Sequence, residues 1–263
     1  MQLNITFSNV SQCFVYAGKN TRKETVFTGL QPSLHAAALA AQNPDICGIA
    51  EMLISADEDC SVIQKFSEIL GLEYFKFIPT EKSWLAEGYM YGLALFSRFP
   101  ILEYTVVDLP NPDLEFVQPN GDLWTTHTKV AQQAVVSVDG AEVQVTNLHS
   151  YPVHRFNRCL DEPYFDEFRE KVAGVISASS SMPSIVMGDF NNANVAIEKA
   201  FPDVFGDGGL QNAVVVPSEI LSEIGDKTQL DYILISQHFE LKSETAQLDY
   251  SDHPTVSAQV SLL

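Results

Sequence analysis

Pro183-Ser184-Ile185-Val186-Met187-Gly188-Asp189-Phe190-Asn191-Asn192 is a short apolar run that stops abruptly in a glycine, a carboxylate and two amides. Ile185, Val186 and Met187 predict a buried strand. Gly188 permits a sharp exit or a close backbone approach. On an extended backbone Asp189 and Asn191 point to one side and Phe190 to the other. A carboxylate that activates water beside an amide that donates to a charged oxygen suits work on a phosphate. From these residues alone, a plain strand followed by an Asx-turn reads equally well.

Similar strand ends recur outward from this stretch. Leu3 to Val10 predicts a first strand that ends at Asn9. Ile46-Cys47-Gly48-Ile49-Ala50 is an unbroken apolar strand that delivers Glu51. Lys129 to Val138, a turn at Asp139-Gly140, and Ala141 to Leu148 predict a hairpin that ends at His149. Leu230 to Ser236 carries Asp231, and Ser251-Asp252-His253-Pro254 precedes a last strand over Thr255 to Leu262. Taken singly, an acid at a strand end is most often a turn residue and a lone histidine a structural one. Glu51, closing a fully apolar strand, is the least ordinary of them.

The remaining elements follow from periodicity and breakers. Helices are expected over Pro32 to Gln42, Asp59 to Leu70 and Tyr164 to Ser177, with a short one over Val195 to Ala200. Strands are expected over Glu73 to Pro79, Gly92 to Ser97 and Ile101 to Leu109. Three loops stand out. One follows Val10 and carries Lys19, Arg22 and Lys23. Pro110 to Thr128 carries Trp124, and Ser150 to Pro163 carries His154, Arg155 and Arg158. Loops this long are often functional. No internal repeat or Gly/Ser linker interrupts the chain, so one domain over 1–263 is expected. Strands alternating with helices around a central hairpin predict packed sheets with helices outside.

The 263 residues carry 34 acidic and 15 basic side chains, a formal charge of -19. That balance argues against electrostatic capture of long duplex nucleic acid, and leaves a small phosphorylated substrate open. The four cysteines, Cys13, Cys47, Cys60 and Cys159, are widely spaced and read as reduced thiols, not a zinc site or disulfide scaffold. No apolar run approaches the roughly 18 residues of a membrane span. Met1 to Phe7 has no signal-peptide pattern, so a cytoplasmic location without membrane contact is expected, as a monomer.

Asn9 after a strand, Ile49-Ala50-Glu51, Gly92 to Ile101, Asn147-Leu148-His149, Gly188-Asp189-Phe190-Asn191, Leu230-Asp231-Tyr232-Ile233 and Ser251-Asp252-His253 resemble, in order, the motifs of the endonuclease/exonuclease/phosphatase superfamily. That superfamily includes deoxyribonuclease I, exonuclease III, the deadenylases, the inositol polyphosphate 5-phosphatases and the neutral sphingomyelinases. The resemblance implies an α+β fold: a four-layer α/β/β/α sandwich of two mixed sheets flanked by helices. It implies hydrolysis of a phosphodiester or phosphomonoester with Mg²⁺ or Mn²⁺.

In that reading Glu51 is the main metal ligand and Asp252 a further one. Asp189 handles the attacking water and Asn191 orients the phosphate. His253, held by Asp231, stabilises charge on phosphorus, and His149 faces the leaving oxygen. Asn9 holds Glu51 or the phosphate. Arg155 and Arg158 would grip a further phosphate, and Trp124 would stack on a base. Nuclease branches often place an acid two residues after the first-strand asparagine; Ser11 stands there. The substrate expected is small or single-stranded, a nucleotide or nucleic acid included. The alternatives are a duplex DNA nuclease of the repair type and an inactive binding module.

Overall fold

Period-two alternation builds two large sheets whose inner faces close on each other. The computed structural model describes residues 1–21, 24–55, 60–118, 121–177 and 182–263. In the first half the strands are β1 (Gln2–Asn9), β2 (Phe14–Thr21), β3 (Glu24–Leu30), β4 (Ile46–Ser55), β5 (Tyr74–Lys82), β6 (Tyr89–Ser97) and β7 (Ile101–Leu109). Next come β8 (Glu115–Val117), β9 (Leu123–Thr125), β10 (Lys129–Val138), β11 (Ala141–His149) and β12 (Ser184–Asp189). β13 (Leu210–Asn212), β14 (Asp231–Ser236), β15 (Phe239–Gln247) and β16 (Thr255–Leu262) complete them. The helices are α1 (Pro32–Ala40), α2 (Ser61–Leu70), α3 (Asp166–Ile176), α4 (Ile197–Ala200) and α5 (Ser218–Ile224).

One sheet runs β15-β16-β1-β4-β6-β5 and the other β13-β14-β12-β11-β10-β7. Each is mixed: β1 pairs parallel with β4 and β11 parallel with β12, while their other pairings are antiparallel. Leu3, Ile5 and Phe7 of β1 meet Val143, Val145, Ile185, Met187, Ile233 and Ile235 in the layer between the sheets. Val186, Leu148 and Leu234, on the opposite face, pack with Phe168, Val172 and Ile176 of α3. Cys47 and Ile49 of β4 pack with Ala36 and Leu39 of α1 and Ile63 and Phe66 of α2. Helix, sheet, sheet, helix is therefore the layering, an α+β sandwich as the sequence implies.

Gly188 has the role its position predicts: a Cβ there would lie 2.5 Å from the Leu148 carbonyl oxygen, so β12 can approach β11 only without a side chain. No disulfide links Cys13, Cys47, Cys60 or Cys159. No helix of the described residues is long and apolar enough to cross a membrane.

Five segments depart from expectation. The polar loop after Val10 is instead the hairpin β2–β3, which pairs only with itself. Pro110 to Thr128 contains a small hairpin, β8–β9. β13, α5 and β15 are elements the sequence pattern did not announce. In β15 the charged Glu240, Lys242 and Glu244 alternate with Leu241, Ser243 and Thr245, and both rows are exposed, so no burial period marks it. The expected start of α2 at Asp59 lies outside the described residues, as do Arg22, Lys23 and Asn120.

Candidate active site

Strand register assembles the site. His149 pairs with Asp189 across β11 and β12, and Asp189 faces Asp231 across β12 and β14. These three end one row of the second sheet, each in step with inward residues such as Val145, Met187 and Ile233. Asn9 ends β1 on the opposite sheet in the same way, two residues after Phe7.

Glu51 reaches the site by a different device. Residues 46 and 50 of β4 point inward, so simple alternation would turn residue 51 outward. Instead Glu51 adopts a left-handed φ of 52° and the β4–β6 ladder slips between Ile49 and Met52. This bulge re-aims the carboxylate within a strand that continues to Ser55, rather than ending it.

Asp189 is the hub. Its Oδ2 accepts from Asn9 Nδ2 at 3.2 Å and lies 3.6 Å from His149 Nε2 and 3.8 Å from His253 Nδ1. Its Oδ1 accepts from the Asn191 backbone N–H at 2.9 Å. His149 Nε2 also lies 4.0 Å from Glu51 Oε1. His253 Nδ1 is 2.9 Å from Asp231 Oδ2, which leaves Nε2 as its free nitrogen. Asn191 is not on extended backbone as the sequence reading assumed. It takes a left-handed φ of 49° after the strand stops at Asp189, and its Nδ2 donates to the Ser150 carbonyl at 3.1 Å. Phe190 does turn away, into the outer core.

Burial drives the electrostatics. It pushes Asp189 and Asp231 above the usual carboxylate range, and His253 partly offsets this for both. For His253 burial works downward, but Asp231 and Asp189 together hold the ring well above an ordinary histidine. Both effects describe one proton shared by a crowded trio, and we assign it to His253, since an imidazolium relieves two buried carboxylates at once. Burial also raises Glu51, with Lys129 pulling it back. His149 is lowered well below an ordinary histidine by burial and by Lys129, His253 and Arg155.

Asp252 is held by Ser11, whose hydroxyl donates to Asp252 Oδ1 at 2.5 Å. Ser11 begins a three-residue left-handed turn, Ser11-Gln12-Cys13. The neighbouring Ser251 donates to the Asn9 carbonyl at 2.5 Å and accepts from the His253 N–H at 3.1 Å. The departure at Ser11 thus has a role: it supplies a neutral donor that orients Asp252.

The donor set fits a hard divalent cation. Glu51 and Asp252 are partly exposed carboxylates, and the charge of Asp252 adds to burial in raising Glu51. Oxygen donors of this kind suit Mg²⁺ or Mn²⁺. Asp189, Asp231 and His253 also bring donor atoms within 4.8 Å of one another. We place no cation there, because His253 Nδ1 is already engaged by Asp231.

The proposed substrate-binding residues divide. Arg155 is exposed and near enough to depress both His149 and His154. Arg158 is engaged elsewhere: Nε and Nη2 each lie 2.7 Å from Glu162 Oε2, and the guanidinium stacks 4.5 Å from the Tyr164 ring. Trp124, on β9, is 40% exposed and pairs with Phe116 of β8. Among the described residues, no ring contact or hydrogen bond joins it to the catalytic side chains.

Three further groups were given no role in the sequence reading. Lys129 is buried, with Nζ 3.5 Å from His149 Nδ1 and 5.7 Å from the centre of the Tyr91 ring. His154 has a fully buried Nδ1 without a partner, and burial and Arg155 hold its ring down to about 4. Trp84, 64% exposed, stands edge-on to Phe27 at 6.2 Å. Its neighbour Ser83 donates to Gln12 Oε1 at 2.6 Å, next to Ser11. Nothing in the sequence marks Lys129, which begins a strand after a long loop.

The sequence pattern of the endonuclease/exonuclease/phosphatase family matches residues 34–253. The chain belongs to this family. It is therefore a phosphoric ester hydrolase with the family's deoxyribonuclease I-like sandwich. Solved structures agree on the fold. An endonuclease/exonuclease/phosphatase from Beutenbergia cavernae superposes with a TM-score of 0.72 at 18% identity, over 99% of this chain and 72% of that one. The human nocturnin catalytic domain, with a bound sulfate anion, gives 0.60 at 18% identity over 100% and 94%. A mannosyl-6-phosphatase from Bacteroides thetaiotaomicron gives 0.56 at 14% identity over 99% and 99%. No curated protein sequence matches the chain.

Proposed function

We propose that this endonuclease/exonuclease/phosphatase family member is a Mg²⁺- or Mn²⁺-dependent hydrolase of a phosphodiester or phosphomonoester in a small or single-stranded substrate. The observation that carries this reading is the convergence of Asn9, His149 and His253 on Asp189 Oδ2, beside Glu51 and Asp252. Glu51 and Asp252 hold the cation, which offsets the negative charge of the phosphate when bound. Asp189 positions the attacking water, and burial makes its carboxylate a better base than an exposed aspartate. His253, charged by its pairing with Asp231, offers Nε2 to a phosphoryl oxygen. His149 addresses the leaving oxygen.

The chain's charge of -19 favours a compact phosphate over a duplex, whose grip relies on Lys and Arg. Neighbours of known activity include a phosphatase of a sugar phosphate, which suits a small substrate. Arg155 is the cation at the rim, and Trp84 replaces Trp124 as the ring that stacks on a base. The test is an activity screen with and without Mg²⁺. It compares bis-p-nitrophenyl phosphate, p-nitrophenyl phosphate, single-stranded and duplex DNA, RNA and inositol phosphates. The reading expects metal-dependent turnover that is poorest on duplex DNA. A preference for duplex DNA with steep salt dependence would replace it with the repair-nuclease alternative, and no turnover on any of them would favour a binding module.

A further inference from the structure

We propose that Lys129 is a positioning residue that fixes the tautomer of His149, so that this histidine presents a protonated Nε2 to the phosphate. The inference rests on the phosphoester-hydrolase reading for its purpose, but not for its geometry. Lys129 is 7% exposed in a chain with few cations, and a buried ammonium normally sits against a carboxylate. Among the described residues no ion pair holds this one: Nζ meets His149 Nδ1 at 3.5 Å and the face of Tyr91 at 5.7 Å, while Glu51, Glu81 and Asp189 act on its charge from beyond ion-pair distance.

An ammonium has three donors and no acceptor, so the ring nitrogen facing it must accept. That puts the lone pair of His149 on Nδ1 and its proton on Nε2. Nε2 is the nitrogen that faces Glu51 Oε1 at 4.0 Å and Asp189 Oδ2 at 3.6 Å, the side on which a phosphate would sit. A ligating or catalytic histidine is usually oriented by a carboxylate or carbonyl that accepts from it. Here the orienting group is a donor, and the outcome is the opposite tautomer.

The surrounding contacts hold Lys129 in place. Its backbone N–H donates to the Tyr151 hydroxyl at 3.0 Å, and that hydroxyl donates in turn to the Leu109 carbonyl at 3.4 Å. Tyr91, beneath the ammonium, is fixed by its own bond to Glu81 Oε2 at 2.5 Å, and Glu81 Oε1 lies 3.0 Å from His127 Nε2. Burial lowers Lys129, but Glu51, Glu81 and Asp189 pull it back up and the Tyr91 face attracts a cation, so the ammonium form is the one supported here. The role assigned to His149 is therefore a hydrogen-bond donor of fixed direction.

The test reads the ring nitrogens of His149 by nitrogen NMR on the isotope-labelled full chain near neutral pH, assigned by their loss in His149→Gln. Wild type is expected to show a protonated Nε2 and a bare Nδ1. Lys129→Met is expected to move the ring toward a mixture of tautomers, and Lys129→Arg to keep the wild-type pattern. In kinetics, Lys129→Met should lower kcat on an alkyl phosphodiester by about 10²-fold, the lower end of what a positioned proton donor contributes. The loss should be smaller on bis-p-nitrophenyl phosphate, with little change in KM. A protonated Nδ1 in wild type, or no tautomer change in Lys129→Met, overturns the proposal. If Lys129→Met fails to fold, the wild-type spectrum and Lys129→Arg still decide it. Because the spectra need no turnover, failure of the phosphoesterase reading would appear separately, as absent activity with the expected tautomer.

Discussion

Asn9 Nδ2 donates to Asp189 Oδ2 at 3.2 Å, from one sheet to the other and across 180 residues of chain. The same asparagine accepts the Ser11 N–H on its Oδ1 at 3.0 Å, so both ends of the amide are used. One side chain thus ties the water-handling carboxylate to the turn that carries Ser11, and through Ser11 to Asp252. Asn9→Ala leaves a buried carboxylate short of a donor. We expect a stability loss of about 1.5–3 kcal/mol, as for hydrogen bonds to charged groups, and an activity loss on the order of 10²-fold. Asn9→Asp should be worse on both counts, because it sets a second buried carboxylate against the first. Denaturant melts and initial rates check this. Near-wild-type activity in Asn9→Ala would remove the bridge from the mechanism.

The left-handed backbone at Glu51 predicts a separation of stability from activity. A non-glycine residue at φ 52° carries roughly 1–2 kcal/mol of strain. Glu51→Gln should lose activity by orders of magnitude and keep the fold. Glu51→Ala and Glu51→Gly should both be inactive, yet the glycine variant should be the more stable of the two, by about 1 kcal/mol after its larger unfolded-state entropy is counted. Equal stabilities would mean that the bulge is not strained.

The two arginines of the loop after His149 should now behave differently. Arg155→Ala should raise KM on the true substrate more than it lowers kcat, and should spare a small aryl diester. Arg158→Ala should leave both kinetic constants near wild type. Its cost should appear as a lower melting temperature, through the lost contacts to Glu162 and Tyr164. A KM effect of similar size in both variants would restore Arg158 to the substrate.

Trp84 and Trp124 separate in the same way. Trp84→Ala should weaken binding of a nucleotide by about 1–3 kcal/mol, the usual value of one base–aromatic stack, and leave a sugar phosphate unaffected. Trp124→Ala should leave the binding of both unchanged. Quenching of tryptophan fluorescence by adenosine monophosphate in wild type, lost in Trp84→Ala, is the direct readout. If quenching is lost only in Trp124→Ala, the expectation drawn from sequence was right.

The layered fold and most of the site were legible in the sequence for one reason. Asn9, His149, Asp189 and Asp231 each stand at the end of an apolar strand, where inward parity continues to the last residue. Glu51 was legible as an acid closing an apolar run, but its direction depends on a backbone flip that no side-chain pattern encodes. The hairpin β2–β3 was not legible because it packs on neither sheet as a strand, and so has no burial period to reveal it. Lys129 and Trp84 were not legible because their roles come from contacts across the fold, with His149 and Phe27, and not from neighbours in sequence.

A buried histidine outside the catalytic cluster makes its own contribution to acid stability. His35 on α1 is buried, its Nε2 lies 3.2 Å from the Phe14 carbonyl, and its ring meets Tyr250 edge-on at 6.0 Å. Burial lowers it from 6.5 to about 4, against smaller upward pulls from the Phe14 carbonyl and Asp249. Between those two values the unfolded chain binds a proton that the folded chain refuses, so stability falls as pH falls. At about 1.4 kcal/mol per unit of difference, this one group removes up to about 3 kcal/mol by the bottom of that window. His154, lowered to a similar value, has the same sign, while the raised Glu51, Asp189 and Asp231 have the opposite one. The measurement is therefore a difference: unfolding free energies of wild type and His35→Gln across this range. Glutamine keeps a donor for Phe14 and does not titrate. The wild type should lose stability faster on acidification, and the two curves should run parallel above the ordinary histidine range. Parallel curves throughout would mean that His35 takes up its proton in the folded state as readily as in the unfolded one.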